Sequence, residues 1–165
     1  NHRRQRQMCI RDRGQEATPE PQAFRIFAKP TANFSATLVT LAAVNTAITL
    51  LIVYVIVFHL WAMVLEMFLW TKPLGRQTVG LSGEDAEASK TLAVNQGLYN
   101  GFLAAGLLLS LIVNHPEPAF TLQVFLLACV GLAGLLGGLT VKFQIVLLQG
   151  GPALVALALL LVGCG

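Results

Sequence analysis

The chain has 165 residues, of which 55% are hydrophobic and 12% are charged, and its mean hydropathy is +0.69. A soluble domain carries roughly 25% charged residues, so this composition excludes an ordinary water-soluble globular protein. The pI near 9.0 does not indicate a nucleic-acid partner, because residues 1–30 hold seven basic and three acidic residues, a net charge of +4. Residues 31–165 hold four basic and five acidic residues, a net charge of −1.

The amino-terminal segment is predicted to lie outside the folded domain. Residues 8–13 resemble the translation of an adapter used to build sequencing libraries, so we exclude residues 1–15 from the fold. A genuine basic leader is the alternative, but residues 1–22 offer almost no apolar face. We therefore expect a non-native or irregular tail over residues 1–42 and a folded domain over residues 43–165.

Four apolar stretches follow, each close to or above the roughly 20 residues that cross about 30 Å of hydrocarbon. Lipid offers no partners to backbone N–H and C=O groups, so such stretches must be helices or strands of a closed barrel. Their near-continuous apolar sequence lacks the alternation of barrel strands. The predicted fold class is all-α, a polytopic bundle of four transmembrane helices. The predicted spans are residues 43–69, 92–113, 120–139 and 145–162.

The charges of the links predict the orientation of this bundle. Links 70–91 and 140–144 are basic, whereas link 114–119 has no Lys or Arg. Short basic loops stay in the cytoplasm, so we predict that the first and third links are cytoplasmic and that the protein lies in the cytoplasmic (inner) membrane. The basic tail argues for the reverse orientation if it is native. The basic residues of these two links are Lys72, Arg76, Lys90 and Lys142.

Local signals predict where the helices begin and end. Ser82 and Asp85 fit a capping box, so a helix should start near Gly83 and continue through the second span. Pro73 is expected to end the first helix. Pro116 is expected to break the chain between the second and third spans, because the proline ring fixes φ and removes a backbone donor.

Small residues predict close helix contacts. Gly97, Gly101 and Ala105 lie at four-residue spacing in the second span, which lets a neighbouring helix approach closely. The glycines of the third span favour the same interpretation, with the lining of a ligand path as the alternative. These glycines are Gly131, Gly134, Gly137 and Gly138.

Polar side chains inside the spans are the strongest functional signal, because such groups usually face the bundle interior and have a partner. At 1.5 Å per residue from Trp70, Glu66 lies about 6 Å and His59 about 16 Å into the membrane, on one helix face. Pro152 should free the carbonyl of Leu148 at a similar level. The other half of the spans holds little beyond apolar residues, Gly and Ser. We predict a cytoplasm-facing pocket whose candidate residues are His59, Glu66, Asn95, Gln96, Asn100 and Gln149.

Two interpretations of this cluster stay open. In the first, the polar side chains only form hydrogen bonds that hold the helices together, here called interhelical glue, and Glu66 pairs with Lys72 or Arg76 near the headgroups. In the second, Glu66 binds a proton or a cation in the pocket, with His59 as a deeper relay or ligand contact. A lone histidine such as His59 can also be satisfied by one neighbouring carbonyl. His115 is interpreted as a solvated residue of the outer link.

The chain resembles a known family at these residues. Leu-Glu-Met-Phe-Leu-Trp at 65–70, Asn-Gln-Gly-Leu-Tyr-Asn-Gly at 95–101 and Gln-Gly-Gly-Pro at 149–152 are similar to the domain of unknown function 1304 family, over about residues 45–162. The resemblance implies a bacterial four-helix integral membrane protein and supplies no substrate, cofactor or catalytic residue. Members often carry Glu before the histidine of the first span, where this chain has Phe58, which weakens any two-carboxylate mechanism.

The sequence leaves several functions to weigh. A carrier or channel would use Glu66 as its titratable site, and a chain this small would need a homo-oligomer to form a path. An accessory subunit of a larger membrane complex would need only the small-residue contacts and the glue. We expect no enzyme, no metal and no cofactor, because no catalytic or phosphate-binding motif is present and the three cysteines lack metal or redox spacing. The expected partners are the lipid bilayer and a small solute of unknown identity, with no nucleic acid.

Overall fold

The computed structural model describes residues 32–163, with side chains from residue 35. Predictions for residues 1–31 therefore lie outside the described residues. Contacts within the chain define one compact unit at Thr40–Gly165, and residues up to Val39 belong to another, of which only the helical residues 32–39 are described. The helices are α1 (Ala32–Val64), α2 (Pro73–Val79), α3 (Gly83–Ile112), α4 (Pro116–Thr140) and α5 (Gly151–Gly163). Two further segments, Leu65–Leu69 and Val146–Gly150, are single π-helical turns, here called the first and second π turns.

The all-α prediction is confirmed. Four helices of the described chain are long and apolar enough, by length and composition, to cross a membrane, and residues 32–163 contain no strand. Part of the tail that was expected to be non-native or irregular, residues 32–42, is helical and continues into α1, because this segment contains no Gly or Pro. The four candidate spans are Ser35–Leu69, Gly83–Ile112, Pro116–Thr140 and Val146–Gly163.

The capping prediction at the start of α3 is confirmed. The Ser82 hydroxyl oxygen accepts a hydrogen bond from the Asp85 backbone N–H at 3.1 Å, and the helix begins at Gly83. Pro73 plays a different role from the predicted one, because it opens the short helix α2 at a position where a missing N–H costs nothing. Gly80 ends α2 with φ +81°, a left-handed conformation that glycine adopts without strain.

The link between α3 and α4 is shorter than predicted. The chain does break between these helices, but the break falls at residues 113–115, and Pro116 starts α4 instead of preceding it. Proline is favoured at a helix start because its φ is already helical. His115 is exposed at this helix start, as expected of a solvated residue.

Two basic links meet at the same end of the bundle. The Lys142 side chain, between α4 and the second π turn, donates a hydrogen bond from Nζ to the Val79 carbonyl oxygen at the end of α2, at 3.1 Å. We call this end, formed by residues 70–82 and 141–145, the link end. The end at residues 113–115 is the opposite end.

A compact apolar core fills the opposite half of the bundle. Its side chains come from α1, α3, α4 and α5, and the largest of them are fully inaccessible to solvent. Dispersion contacts hold such a core together even in lipid, where apolar burial alone gives no driving force. The largest fully buried apolar residues are Ile52, Val55, Leu107, Leu127 and Val130.

Small residues of α3 let α1 approach, as predicted, but at a shifted position. A Cβ added to Gly97 would lie 3.1 Å from the Met63 carbonyl oxygen, and one added to Gly101 would lie 2.8 Å from the Met63 sulfur. The prediction for Ala105 is wrong, since this residue is exposed and Ala104 is buried in its place. Residues on one face of a helix are spaced three or four positions apart, so residues that repeat every four positions gradually leave the packed face of α3.

The glycines of α4 pack against the returning chain. Gly134 meets Gly150 of the second π turn backbone to backbone, and a Cβ at Gly134 would overlap the Gly150 Cα and N atoms. This contact confirms the structural interpretation of the glycine run, although Gly137 also lines the cavity described below. The remaining pairs of the same seam are Gly131 with Leu154, Gly137 with Ile145 and Gly138 with Val146.

Candidate functional site

A cavity of about 740 Å³ opens at the link end of the bundle. Its walls come from α1, α3, α4, both π turns and the two basic links. This volume lies within the roughly 300–1,000 Å³ that small-molecule sites usually have. The polar lining of the cavity from the π turns and α3 consists of Glu66, Gln96, Asn100 and Gln149, and Thr78 of α2 and Gln144 of the third link also line it.

Glu66 lies in the first π turn and bonds to α3. The Asn100 side-chain amide donates to Glu66 Oε2 at 2.7 Å and also to the Gln96 backbone carbonyl at 3.2 Å. Both Glu66 and Asn100 are half-buried. A π turn adds one residue to a helical turn and redirects the side chains that follow, and such turns recur at functional sites. In this protein the first π turn places the Glu66 carboxylate where it both bonds to Asn100 of α3 and lines the cavity.

The second π turn lies on another wall and carries Gln149. Its hydrogen bonding follows the π pattern, since the Gly151 N–H bonds to the Val146 carbonyl. Pro152 has no N–H to offer, and the Tyr54 hydroxyl donates to the Leu148 carbonyl at 3.1 Å. The Tyr54 bond ties α1 to this turn beside the cavity. That Pro152 frees the Leu148 carbonyl from a bond within the helix stays a prediction.

His59 does not line the cavity, so its predicted place in the pocket is wrong. The side chain is fully buried, and Nδ1 donates to the Val55 carbonyl at 2.8 Å. Nε2 has no hydrogen-bond partner in the described part of the chain. The cavity wall of α1 is formed by residues such as Phe58 and Ala62, and the rotation of 100° per residue turns His59 away from them into the bundle.

Asn95 is also outside the cavity. Its side chain is exposed, and its amide donates to the Thr91 carbonyl one turn earlier, at 3.2 Å. Asn95 precedes Gln96 directly, so one residue of helical rotation separates an outward side chain from one on the cavity wall. Sequence position predicts nearly the same membrane depth for both residues. They differ in the side of α3 from which they project, and only Gln96 lines the cavity.

Most of the lining was not predicted as part of the site, and three of these residues bear on its chemistry. Trp61 and Trp70 line the cavity with Glu66, and Trp70 is fixed in place because its Nε1–H donates to the Ser89 hydroxyl at 3.0 Å. Lys142 lines the cavity from the link between α4 and the second π turn. The sequence did carry a signal for Trp70, which lies one helical turn after Glu66, but Lys142 comes close only through the fold.

The charged groups of the cavity lack ionic partners. Among residues 35–163, one ion pair is present, between Lys90 and Glu87 at 3.3 Å on the surface of α3. The interpretation in which Glu66 pairs with Lys72 or Arg76 is therefore wrong. Within the same residues, no three His, Cys, Asp or Glu side chains are grouped as metal ligands would be. The site is a carboxylate with amide neighbours, suited to binding protons, cations or hydrogen-bonding groups.

Comparisons with known proteins cover this region of the chain. The model of the family described as protein of unknown function (DUF1304) matches residues 53–161. The chain is 32% identical over 99 residues to the uncharacterized protein YpaA of Lactococcus lactis subsp. lactis (strain IL1403), over 59% of this chain and 82% of YpaA. No solved structure matches. All cavity-lining residues fall within the matched region.

Proposed function

We propose that this chain, which belongs to the DUF1304 family of proteins of unknown function, is a membrane protein that binds a small solute in the link-end cavity, with Glu66 as the charge centre. The proposed activity is binding of the solute, with its movement across the membrane in the case of a carrier. Catalysis is not proposed. Gln96, Asn100 and Gln149 would supply hydrogen bonds to the solute.

The observation that carries this proposal is the pair of unused amides. Gln96 and Gln149 both line the cavity, and neither side chain forms a hydrogen bond to another described residue. Glue between helices requires amides that bond across the interface, as Asn100 does with Glu66. Two amides with free donors and acceptors in the same cavity as a carboxylate instead favour a site for a polar ligand.

The orientation of the cavity is part of the proposal. Lys142 bonds to Val79 at the link end, so the basic residues of both links lie at one end of the bundle. Link residues 113–115 at the opposite end carry no Lys or Arg. Because Lys and Arg in short loops favour the cytoplasm, the cavity would open toward the cytoplasm of a bacterial inner membrane.

The test compares wild type with Glu66→Gln, purified in a mild detergent. Gln keeps an oxygen that can accept the Asn100 bond but loses the charge, so the fold should survive while binding is lost. We expect native mass spectrometry to detect a bound small molecule with the wild type alone, and a proton-uptake assay in proteoliposomes to lose its signal in the variant. Glu117→Gln, an exposed carboxylate at the start of α4, is the matched control. Identical bound molecules and proton uptake in all three proteins would remove the solute-binding proposal.

A second function, a structural subunit of a larger membrane complex, is favoured by one observation. The Asn100–Glu66 bond joins α3 to the first π turn beside Gly97, where a Cβ would lie 3.2 Å from the Glu66 Cβ. Such a contact holds helices together whether or not a solute binds. Crosslinking in native membranes should then capture one constant heterologous partner, and its absence would count against this function.

A further inference from the structure

We propose that the ligand of the link-end cavity is a zwitterion, with an ammonium group bound by Glu66 and the tryptophan rings and an anionic group bound by Lys142. This inference rests on the proposed function and adds the chemical class of the solute. It follows from the placement of two opposite, ionically unpaired charges in the lining of one cavity.

The ammonium end is defined by a carboxylate with aromatic neighbours. Asn100 engages Glu66 Oε2, and no hydrogen bond from a described residue reaches Oε1. Trp61 and Trp70 line the same cavity, and Trp70 is held by its bond to Ser89. A ring face attracts a cation within about 6 Å, most strongly for Trp, and a fixed ring loses little entropy on binding. Carboxylate and rings together form a site for an alkylated or primary ammonium.

The anionic end is defined by Lys142. Its ammonium has three donors, and one of them bonds to the Val79 carbonyl. No carboxylate of the described residues lies within ion-pair distance of it. The remaining donors are available to a carboxylate or phosphate of a ligand, and the bond to Val79 holds the exposed side chain at the cavity lining.

Charge balance selects a zwitterion over simpler ions. Glu66 and Lys142 are the charged side chains on the described cavity lining, so the lining is neutral in total. A simple cation would pair with Glu66 but would be repelled by Lys142. A simple anion would pair with Lys142 but would be repelled by Glu66. Glu66 is half-buried, so leaving it without a cation is costly, whereas Lys142 is exposed. A ligand that carries both charges meets Glu66 and gains a contact with Lys142 that a simple cation lacks.

The same chemistry occurs in free zwitterions and in phospholipid headgroups, and the test separates these sources. In the first arm, phosphocholine, choline and inorganic phosphate are titrated into detergent-purified protein while tryptophan fluorescence is recorded. The chain has two tryptophans, and both line the cavity, so the signal reports on the site directly. In the second arm, native mass spectrometry compares retention of phosphatidylethanolamine and phosphatidylglycerol from mixed nanodiscs.

We expect phosphocholine to give a saturable fluorescence change at concentrations about tenfold below those needed for choline or phosphate, because it makes both charge contacts. Lys142→Gln should weaken phosphocholine about tenfold and should not weaken choline, which makes no favourable contact with Lys142, and Lys142→Arg should restore phosphocholine binding. Glu66→Gln should weaken both choline and phosphocholine. Lys90→Gln removes an exposed lysine that is paired with Glu87, and should change nothing.

Three outcomes decide the inference. Preferential retention of phosphatidylethanolamine without a response to phosphocholine would identify a lipid headgroup as the zwitterion, and the reverse would identify a free solute. A wild-type protein that binds choline as tightly as phosphocholine, with Lys142→Gln silent, would overturn the zwitterion while leaving Glu66-dependent binding intact. No response in either arm would overturn the zwitterion inference. The proposed function would then be decided separately, by whether native mass spectrometry detects a bound small molecule with the wild type and not with Glu66→Gln.

Discussion

The two halves of the bundle use the same helices for different purposes. The opposite half is packed, with Leu107 and Leu127 fully buried and one buried hydroxyl, Ser110, which satisfies itself by donating to the Leu107 carbonyl at 2.6 Å. The link half contains both π turns, the polar side chains and the cavity. The comparison indicates that stability comes from the packed half, which allows the link half to keep unpaired polar groups and open volume.

The largest effect should come from the packed half. Leu127→Ala removes a fully buried side chain from the centre of α4, and we expect the free energy of unfolding to fall by roughly 2–5 kcal/mol, through lost contacts and the cavity left behind. Leu136→Ala on the same helix, at a residue 62% exposed, is the control and should cost little. Unfolding in mixed detergent micelles measures both. Equal losses would mean that the core is elsewhere.

The next effect tests the seam that supports the second π turn. Gly134→Ala places a Cβ on the Gly150 backbone, so α4 must move away, at a cost of about 1–3 kcal/mol. A Cβ at Gly163 meets nothing within 4 Å, which makes Gly163→Ala the control. Thermal melting followed by size-exclusion chromatography distinguishes them. A Gly134→Ala protein as stable as the control would contradict the close backbone contact.

A smaller effect is expected at the polar contact of the link half. Asn100→Leu removes the donor to Glu66 and should cost about 0.6–2 kcal/mol. Asn95→Leu changes the same residue type on the same helix, but its amide bonds only within α3, so it should be close to neutral. Equilibrium unfolding of both variants gives the difference. If Asn95→Leu is the more damaging, the facing directions on α3 are wrong.

The smallest effect should follow the loss of one hydroxyl. Tyr54→Phe deletes the bond to the Leu148 carbonyl, at a cost of about 0.5–1.5 kcal/mol. Tyr99→Phe, at an exposed tyrosine, is the matched control. Amide hydrogen exchange in micelles should show faster exchange in the second π turn for Tyr54→Phe alone. Unchanged exchange in the second π turn would show that the Tyr54 hydroxyl does not stabilise this turn through the Leu148 carbonyl.

Much of the fold could be predicted from the sequence because its causes are local. Apolar runs of sufficient length identified the spans, and Ser82 with Asp85 identified the start of α3. The sequence could not name Tyr54 as a donor to the Leu148 carbonyl, since that contact joins residues 94 positions apart.

The rest of the site depends on helix rotation and tertiary contacts. Depth along a helix is readable from sequence, but which side faces the cavity is not, so His59 and Asn95 were predicted to line a pocket that they do not reach. The two π turns have no sequence signature comparable to a capping box, and they redirect Glu66 and Gln149. Lys142 joins the cavity only because the third link folds onto the first.

The central claim is that a water-accessible polar cavity exists in the link half of a membrane-embedded bundle. Its most direct test is thiol labelling of single cysteines in native membranes, with Cys9, Cys129 and Cys164 replaced by Ser. Ala133→Cys lies on the cavity wall, and Leu132→Cys is its neighbour on α4 at a position 62% exposed but off that wall.

Both residues lie about 10–12 Å from the end of α4 at 1.5 Å per residue, so depth does not separate them. We expect a water-soluble maleimide supplied at the link side to label Ala133→Cys and to leave Leu132→Cys unlabelled, because the first residue would face water and the second would face acyl chains. Equal labelling of both, or labelling of Leu132→Cys alone, would contradict it.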